Sequence, residues 1–147
     1  MSNPIGMRIP PKIGAEGIRQ TAFWAAEAGL DILDVPQLTP EVKQACEEAG
    51  IGIGSVDAQQ TAKLLSRDDS VREAAVTSVK QQMDGISELG GSVMFMCLVP
   101  EDHTLPRREG FAIWKDTFPE LVRHAEEKGV YMAIEGWPGP APYYPTL

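Results

Sequence analysis

One short pattern, returning four times, limits what this chain can become. It reads "EAGLDIL" from Glu27, "EAGIGIG" from Glu48, "ELGGSVMF" from Glu88 and "EKGVYMAI" from Glu127. Each time a helix-like stretch closes on Glu-x-Gly and an apolar run begins at once. Gly29, Gly50, Gly90 and Gly129 stand just past the helix ends, where a positive φ is wanted and glycine adopts it most cheaply. The runs that follow are short and mostly apolar rather than alternating, as expected of strands covered on both faces. Strands separated by amphipathic helices predict right-handed βαβ crossovers and a parallel sheet.

The helical stretches carry their own signals. Thr39 and Pro40 read as an N-cap and a first helical proline, opening a helix to about Ala49. From Asp69 to Leu89 the positions Val71, Ala75, Val79, Met83 and Ile86 trace one face. Phe111, Trp114, Phe118, Leu121, Val122 and Ala125 do the same in the next helix, and Pro119 predicts a kink or a fresh start there. A weaker, Ala-rich helix spans Ala15 to Ala28 with Ile18, Ala22 and Ala25 inward. Strands are expected near Gly6–Ile9, Leu30–Val35, Ile51–Val56, Ser92–Leu98 and Val130–Glu135. Five strands and four helices fit two architectures: a partial (β/α)8 barrel, or an open flavodoxin-like doubly wound sheet. A whole barrel takes about 250 residues, so on the barrel reading the 147 residues form one domain that is its N-terminal half.

Composition narrows the function classes. The chain is 43% hydrophobic and 23% charged, an ordinary globular balance. No apolar run approaches the roughly 20 residues of a membrane span, and "MSNPIGMRIPPKIG" shows no secretory pattern. Cys46 and Cys97 sit at no metal-ligand spacing and read as reduced thiols of a cytoplasmic protein. A net charge of -8 argues against nucleic acid as partner, since phosphate backbones are held by clustered Lys and Arg. A small molecule is the expected ligand.

In parallel α/β proteins, binding groups lie at the C-terminal ends of the strands. By that rule the candidates are Lys12, Asp34, Asp57, the segment Pro100–His103, Glu135 and Trp137. No Gly-rich phosphate loop is present, "GIGIGS" having the wrong spacing, and there is no GxSxG, HExxH or CxxC. Each candidate has a plainer alternative. Glu135 could simply bond backbone N–H groups, and Trp137 could only pack. His103 could be an exposed loop residue, and Lys12, read as a phosphate contact, could be a surface lysine. Asp34 and Asp57 could cap the following helices. His124 reads as a surface residue and Cys97 as a small buried hydrophobe rather than a nucleophile. The tail "WPGPAPYYPTL" has only a superficial likeness to a Pro-rich ligand.

The run "EKGVYMAIEGWPGPAPYYPTL", with "GLDILDV" and "SVREAAVTSVKQQMDGISELGGSVMFM" upstream, resembles the sugar phosphate isomerase/epimerase family, the xylose-isomerase-like TIM barrels. The resemblance covers nearly the whole chain. It implies that Glu135, closing strand five, is the first of four ligands to a divalent cation (Mn²⁺, Mg²⁺, Co²⁺ or Zn²⁺) and one base of a two-glutamate pair. The other ligands, an Asp, a His and a second Glu, would come from strands six to eight, beyond this sequence. The implied reaction moves a proton on a sugar or sugar phosphate through an enediolate, whose charge a Lewis acid stabilises while carboxylates carry the proton. With one ligand of four, this chain is expected to bind no such cation alone and to be inactive. A polyol dehydratase of the same fold is the near rival. An endonuclease cutting at abasic sites is disfavoured by the charge and by only two His. Exposed sheet edges would favour self-association.

Overall fold

The computed structural model describes residues 3–136. Its elements run β1 (Gly6–Arg8), α1 (Pro11–Gly14), α2 (Ile18–Glu27), β2 (Ile32–Val35), α3 (Pro40–Ala49), β3 (Gly52–Asp57), a 3-10 turn (Thr61–Leu65), α4 (Asp69–Glu88), β4 (Val93–Cys97), α5 (Arg107–Lys128) and β5 (Tyr131–Glu135). The strands form one parallel sheet in the order β1-β2-β3-β4-β5. Sequential order separates a barrel segment from a doubly wound sheet, in which the order reverses at a switch point.

The two faces of the sheet confirm the distinction. Leu33, Val35, Val56, Met94 and Met96 point to one face and are almost fully buried. They share a single core with Ala22 and Ala25 of α2, Cys46 of α3, Val79 and Met83 of α4, and Phe118 and Leu121 of α5. Met7, Ile53, Met132 and Ile134 pack against that core from the same face. All four long helices therefore cover one side, and the flavodoxin-like alternative is excluded. Each fully buried Leu or Met side chain here contributes about 1.5–3 kcal/mol relative to exposure.

Local chemistry sets the element ends. Thr39 accepts a hydrogen bond from the Val42 N–H at 3.2 Å and caps α3. Asp68 caps α4 by accepting from the N–H groups of Ser70 and Val71. Gly29, Gly50, Gly90 and Gly129 have φ of 79°, 70°, 82° and 67°, the left-handed conformation that ends each helix before its strand.

Three expectations need correction. The helix α5 shows no fresh start at Pro119; it is continuous from Arg107 to Lys128 with the proline inside. Pro119 lies on the exposed side, where water can satisfy the carbonyl deprived of its helical donor. Phe111 and Val122 belong to the solvent side of that helix, half exposed, rather than to its inner face. His124 is not a surface residue: its ring is 15% exposed, 2.9 Å from Asp84 of α4.

Candidate functional site

Strand pairing places the candidate residues. Residues opposite one another in a parallel ladder point to the same face, and successive residues alternate. Arg8 lies opposite Asp34, Asp57 opposite Phe95, and Cys97 opposite Glu135. Arg8, Asp34, Asp57, Phe95, Cys97 and Glu135 therefore share the face that, among the described residues, no helix covers. Most of them stand at or next to the C-terminal ends of their strands, and Glu135 faces the same rim as the other strand tips.

An irregularity in β3 makes this alignment possible. Between paired positions Leu33–Ile53 and Val35–Val56, β2 has one residue and β3 has two, Gly54 and Ser55. That extra residue is a β-bulge, which changes the face of everything after it. In unbroken register Val56 would meet the open side and Asp57 the apolar core. Asp34 holds the bulge: its Oδ1 accepts from the Ser55 N–H at 2.7 Å and from the Ser55 hydroxyl at 2.9 Å. A Cβ at position 54 would lie 2.5 Å from that same oxygen, so glycine is the residue that fits.

Asp57 in turn anchors Arg8. Its carboxylate accepts from the guanidinium at 2.6 Å, the acid being 17% exposed and the arginine 62%. The guanidinium carbon also lies 5.5 Å from the centre of the Phe95 ring, a cation–π distance. Burial pushes the Asp57 carboxyl above its usual range, Arg8 draws it back and Asp34 adds to the rise. Burial likewise raises the Cys97 thiol, with the charge of Glu135 as the second cause. Neither Asp34 nor Asp57 caps a helix; both are spent on the open face.

The remaining candidates lie apart. Lys12 is exposed on α1 and His103 is exposed on the loop after β4. In that loop Asp102 accepts from the Thr104 N–H at 2.8 Å and pairs with Arg67, which also reaches Glu109 at 2.6 Å. Arg67, in the loop before α4, is therefore tied both to this loop through Asp102 and to the first turn of α5 through Glu109. Trp137 lies outside the described residues. Sequence reading missed Arg8, Ser55 and Phe95, because the cue that unites them is a pairing count between strands. Cys97 is half-buried on the open face beside Glu135 rather than in the core.

Among the described residues no group of three or more His, Cys, Asp or Glu is placed to hold a metal ion. A Mg²⁺-type cation takes about six ligands, and Glu135 alone does not furnish them. The described residues thus do not by themselves fit the cation that the sequence resemblance implies. Among the described residues, no helix is long and apolar enough to cross a membrane.

Comparison with known proteins agrees with this geometry. The family profile described as xylose isomerase-like TIM barrel matches residues 12–145. No curated protein sequence matches significantly. Among solved structures, the chain is similar to the 3-keto-D-glucoside 4-epimerase of E. coli in its apo form, with a TM-score of 0.74, 15% identity and coverage of 92% of this chain and 56% of that one. It is similar to a D-psicose 3-epimerase studied in the presence of D-fructose, with a TM-score of 0.76, 15% identity and coverage of 96% and 55%. A mannonate dehydratase from Streptococcus suis serotype 2 gives 0.67, 15%, 91% and 53%. The chain spans about half the length of these structures, and at such identities the likeness shows the fold. With the profile covering nearly all of its length, this chain belongs to the xylose isomerase-like TIM barrel family.

Proposed function

We propose that this chain supplies the first five strands of a sugar isomerase or epimerase, and that the open face carries half of its active site. The carrying observation is the row of Asp57, Cys97 and Glu135 at the C-terminal ends of β3, β4 and β5, all on one uncovered face. Glu135 is the proton-carrying carboxylate: it is exposed, stands at the end of β5, and lies apart from the helix-side core. A carboxylate there can take a proton from the carbon beside a ketose carbonyl and return it. No step is assigned to a metal, because the described residues do not form its cage. In this reading Glu135 gives one ligand to a cation site completed by further groups, and the chain alone is catalytically silent and cytoplasmic. Dehydration of an uncharged polyol is the second reaction class, because the same carboxylates can accept from its O–H groups.

Two measurements test this. Titrating D-fructose into the ¹⁵N-labelled chain should move backbone amide signals of Asp57, Cys97 and Glu135 and leave the helix side unchanged; no response on the open face overturns the sugar reading. Calorimetry with Mn²⁺ should show no micromolar binding. Micromolar binding abolished by Glu135→Gln would reveal a complete cation site, and binding that survives the substitution would remove Glu135 from the site.

Self-association belongs to the same proposal. Exposed large apolar side chains lie in the first and last units of the chain: Ile5 before β1 with Phe23 and Trp24 on α2, and Phe111 and Val122 on α5 with Tyr131 in β5. Among the described residues each of these edge strands is paired on one side. Such edges recruit further strands, so light scattering after size exclusion should give a mass above 16.0 kDa. A stable monomer would count against it.

A further inference from the structure

We propose that Arg8 is a ligand-contacting residue of the open face, and that Asp34 is a positioning residue acting on it through the β3 bulge. The inference rests on the reading that this face binds a sugar, and it names the ligand class. The linkage is continuous in the structure. Asp34 binds both donors of Ser55; the bulge so held turns Asp57 out of the core side. Asp57 grips one edge of the Arg8 guanidinium, and the Phe95 ring lies under it. A guanidinium has five N–H donors in a rigid plane. With one edge on Asp57 and the side chain 62% exposed, the remaining donors face solvent on the side that carries Glu135.

The charges select the ligand. Arg8 is already matched by Asp57, while Asp34 and Glu135 add two further negative charges to the same face. A phosphate or carboxylate would approach one satisfied cation and a surplus of acids. An uncharged polyhydroxy ketone meets complementary groups instead: Arg8 donates to its carbonyl or hydroxyl oxygens, and the carboxylates accept from its O–H groups. The structure thus assigns this face to a free sugar or polyol rather than a sugar phosphate or sugar acid. Gly54 is part of the device, because any side chain there would displace the Asp34 oxygen that holds Ser55.

The test follows the Arg8 Nε–H signal of the full ¹⁵N-labelled chain during titration with D-fructose, and separately with D-fructose 6-phosphate and inorganic phosphate. D-Fructose should move the Arg8 signal and bind more tightly than either phosphate at low salt, and Arg8→Gln should weaken it about tenfold or more, as for loss of a charged hydrogen bond. Gly54→Ala should shift the free Arg8 signal and weaken binding, while Ser55→Thr, which keeps both donors, should preserve both. Asp34→Ala, which removes the acceptor without adding bulk, should reproduce the Gly54→Ala result if that variant unfolds. If Cys97 and Glu135 respond to D-fructose while Arg8 does not and Arg8→Gln binds equally well, the role of Arg8 falls and the sugar reading stands. An unchanged Arg8 signal in folded Gly54→Ala and Asp34→Ala removes the positioning role. Tighter binding of a phosphate overturns the uncharged class. If no residue of the face responds, the sugar reading itself falls, and this inference with it.

Discussion

The two faces of one five-stranded sheet obey different rules. On the helix side, Leu33, Val35, Val56, Met94 and Met96 are close to fully buried and interlock with four helices. On the open side, the neighbouring residues of the same strands are Asp34, Asp57, Phe95, Cys97 and Glu135, partly buried or exposed. Strand alternation creates this split, and in β3 the bulge at Gly54-Ser55 turns Val56 inward and Asp57 outward. One face holds the fold together, while the other bears charged and partly exposed groups that a packed core would not select. The difference teaches that substitution should separate the faces: large energetic effects behind the sheet, and small energetic but distinct chemical effects in front.

The largest effect should come from Met94→Ala. Met94 is 0% exposed at the centre of the core, and such truncations cost about 2–5 kcal/mol by lost burial and the cavity left behind. Urea unfolding should show a much lower midpoint with an unchanged slope. Phe95→Ala, one residue on and facing the open side, should cost clearly less. Equal costs would mean that the faces are not distinct.

Acid should weaken the helix side and its loops through a second set of groups. Asp68, Asp84, Asp102, Glu109 and Glu120 are held below the usual carboxylate range, chiefly by hydrogen bonds from Ser70, Lys128, Thr104, Arg67 and Lys80 respectively. A carboxyl whose folded pKa is lowered gives stability that is present above its unfolded pKa and lost as pH falls through the folded one. Asp57 runs the other way: its raised pKa means the folded state favours its proton, so its ionised form costs stability and acid relieves that cost. Urea midpoints should be level from pH 7 to about 5 and fall below about pH 4, where unperturbed carboxyls titrate. Asp102→Asn should shallow the fall, and Asp57→Asn should steepen it relative to the parent. The five groups are exposed or nearly so, and each effect is small because water screens it.

The same contrast explains what could be read from sequence. The helix side was legible because its signals are local. Gly29, Gly50, Gly90 and Gly129 mark helix ends, Thr39-Pro40 marks a start, and steps of three and four mark buried faces. Strand-end candidates Asp34, Asp57 and Glu135 followed from topology. The rest depends on which strand residue lies opposite which. The bulge at Gly54-Ser55 appears only when β2 and β3 are paired, and without it Asp57 has no reason to meet Arg8. His124 failed for a similar reason, since its partner Asp84 lies on the adjacent helix, 40 residues away. The fresh start expected at Pro119 does not occur because the proline lies on the exposed side of a helix whose inner face, Phe118, Leu121 and Ala125, is held in the core on both sides of it.

The smallest energetic effect gives the sharpest probe of the open face. Glu135→Gln removes an exposed carboxylate and should change stability by no more than about 0.5 kcal/mol. Its chemical effect reaches Cys97, which lies opposite it in the β4–β5 ladder. Burial is the larger cause of the raised Cys97 pKa and the Glu135 charge the smaller, so neutralising Glu135 should move the thiol part of the way back. The thiolate is the reactive form. At pH 8 and low salt, iodoacetamide should therefore label Cys97 faster in Glu135→Gln than in the parent chain, with Cys46 protected in both by its burial. Added salt should narrow the difference, because a charge near solvent is screened within about 10 Å at 0.1 M. Identical labelling rates at low salt would mean that Glu135 does not share the face of Cys97, and the division between the two sides of the sheet would lose its open half.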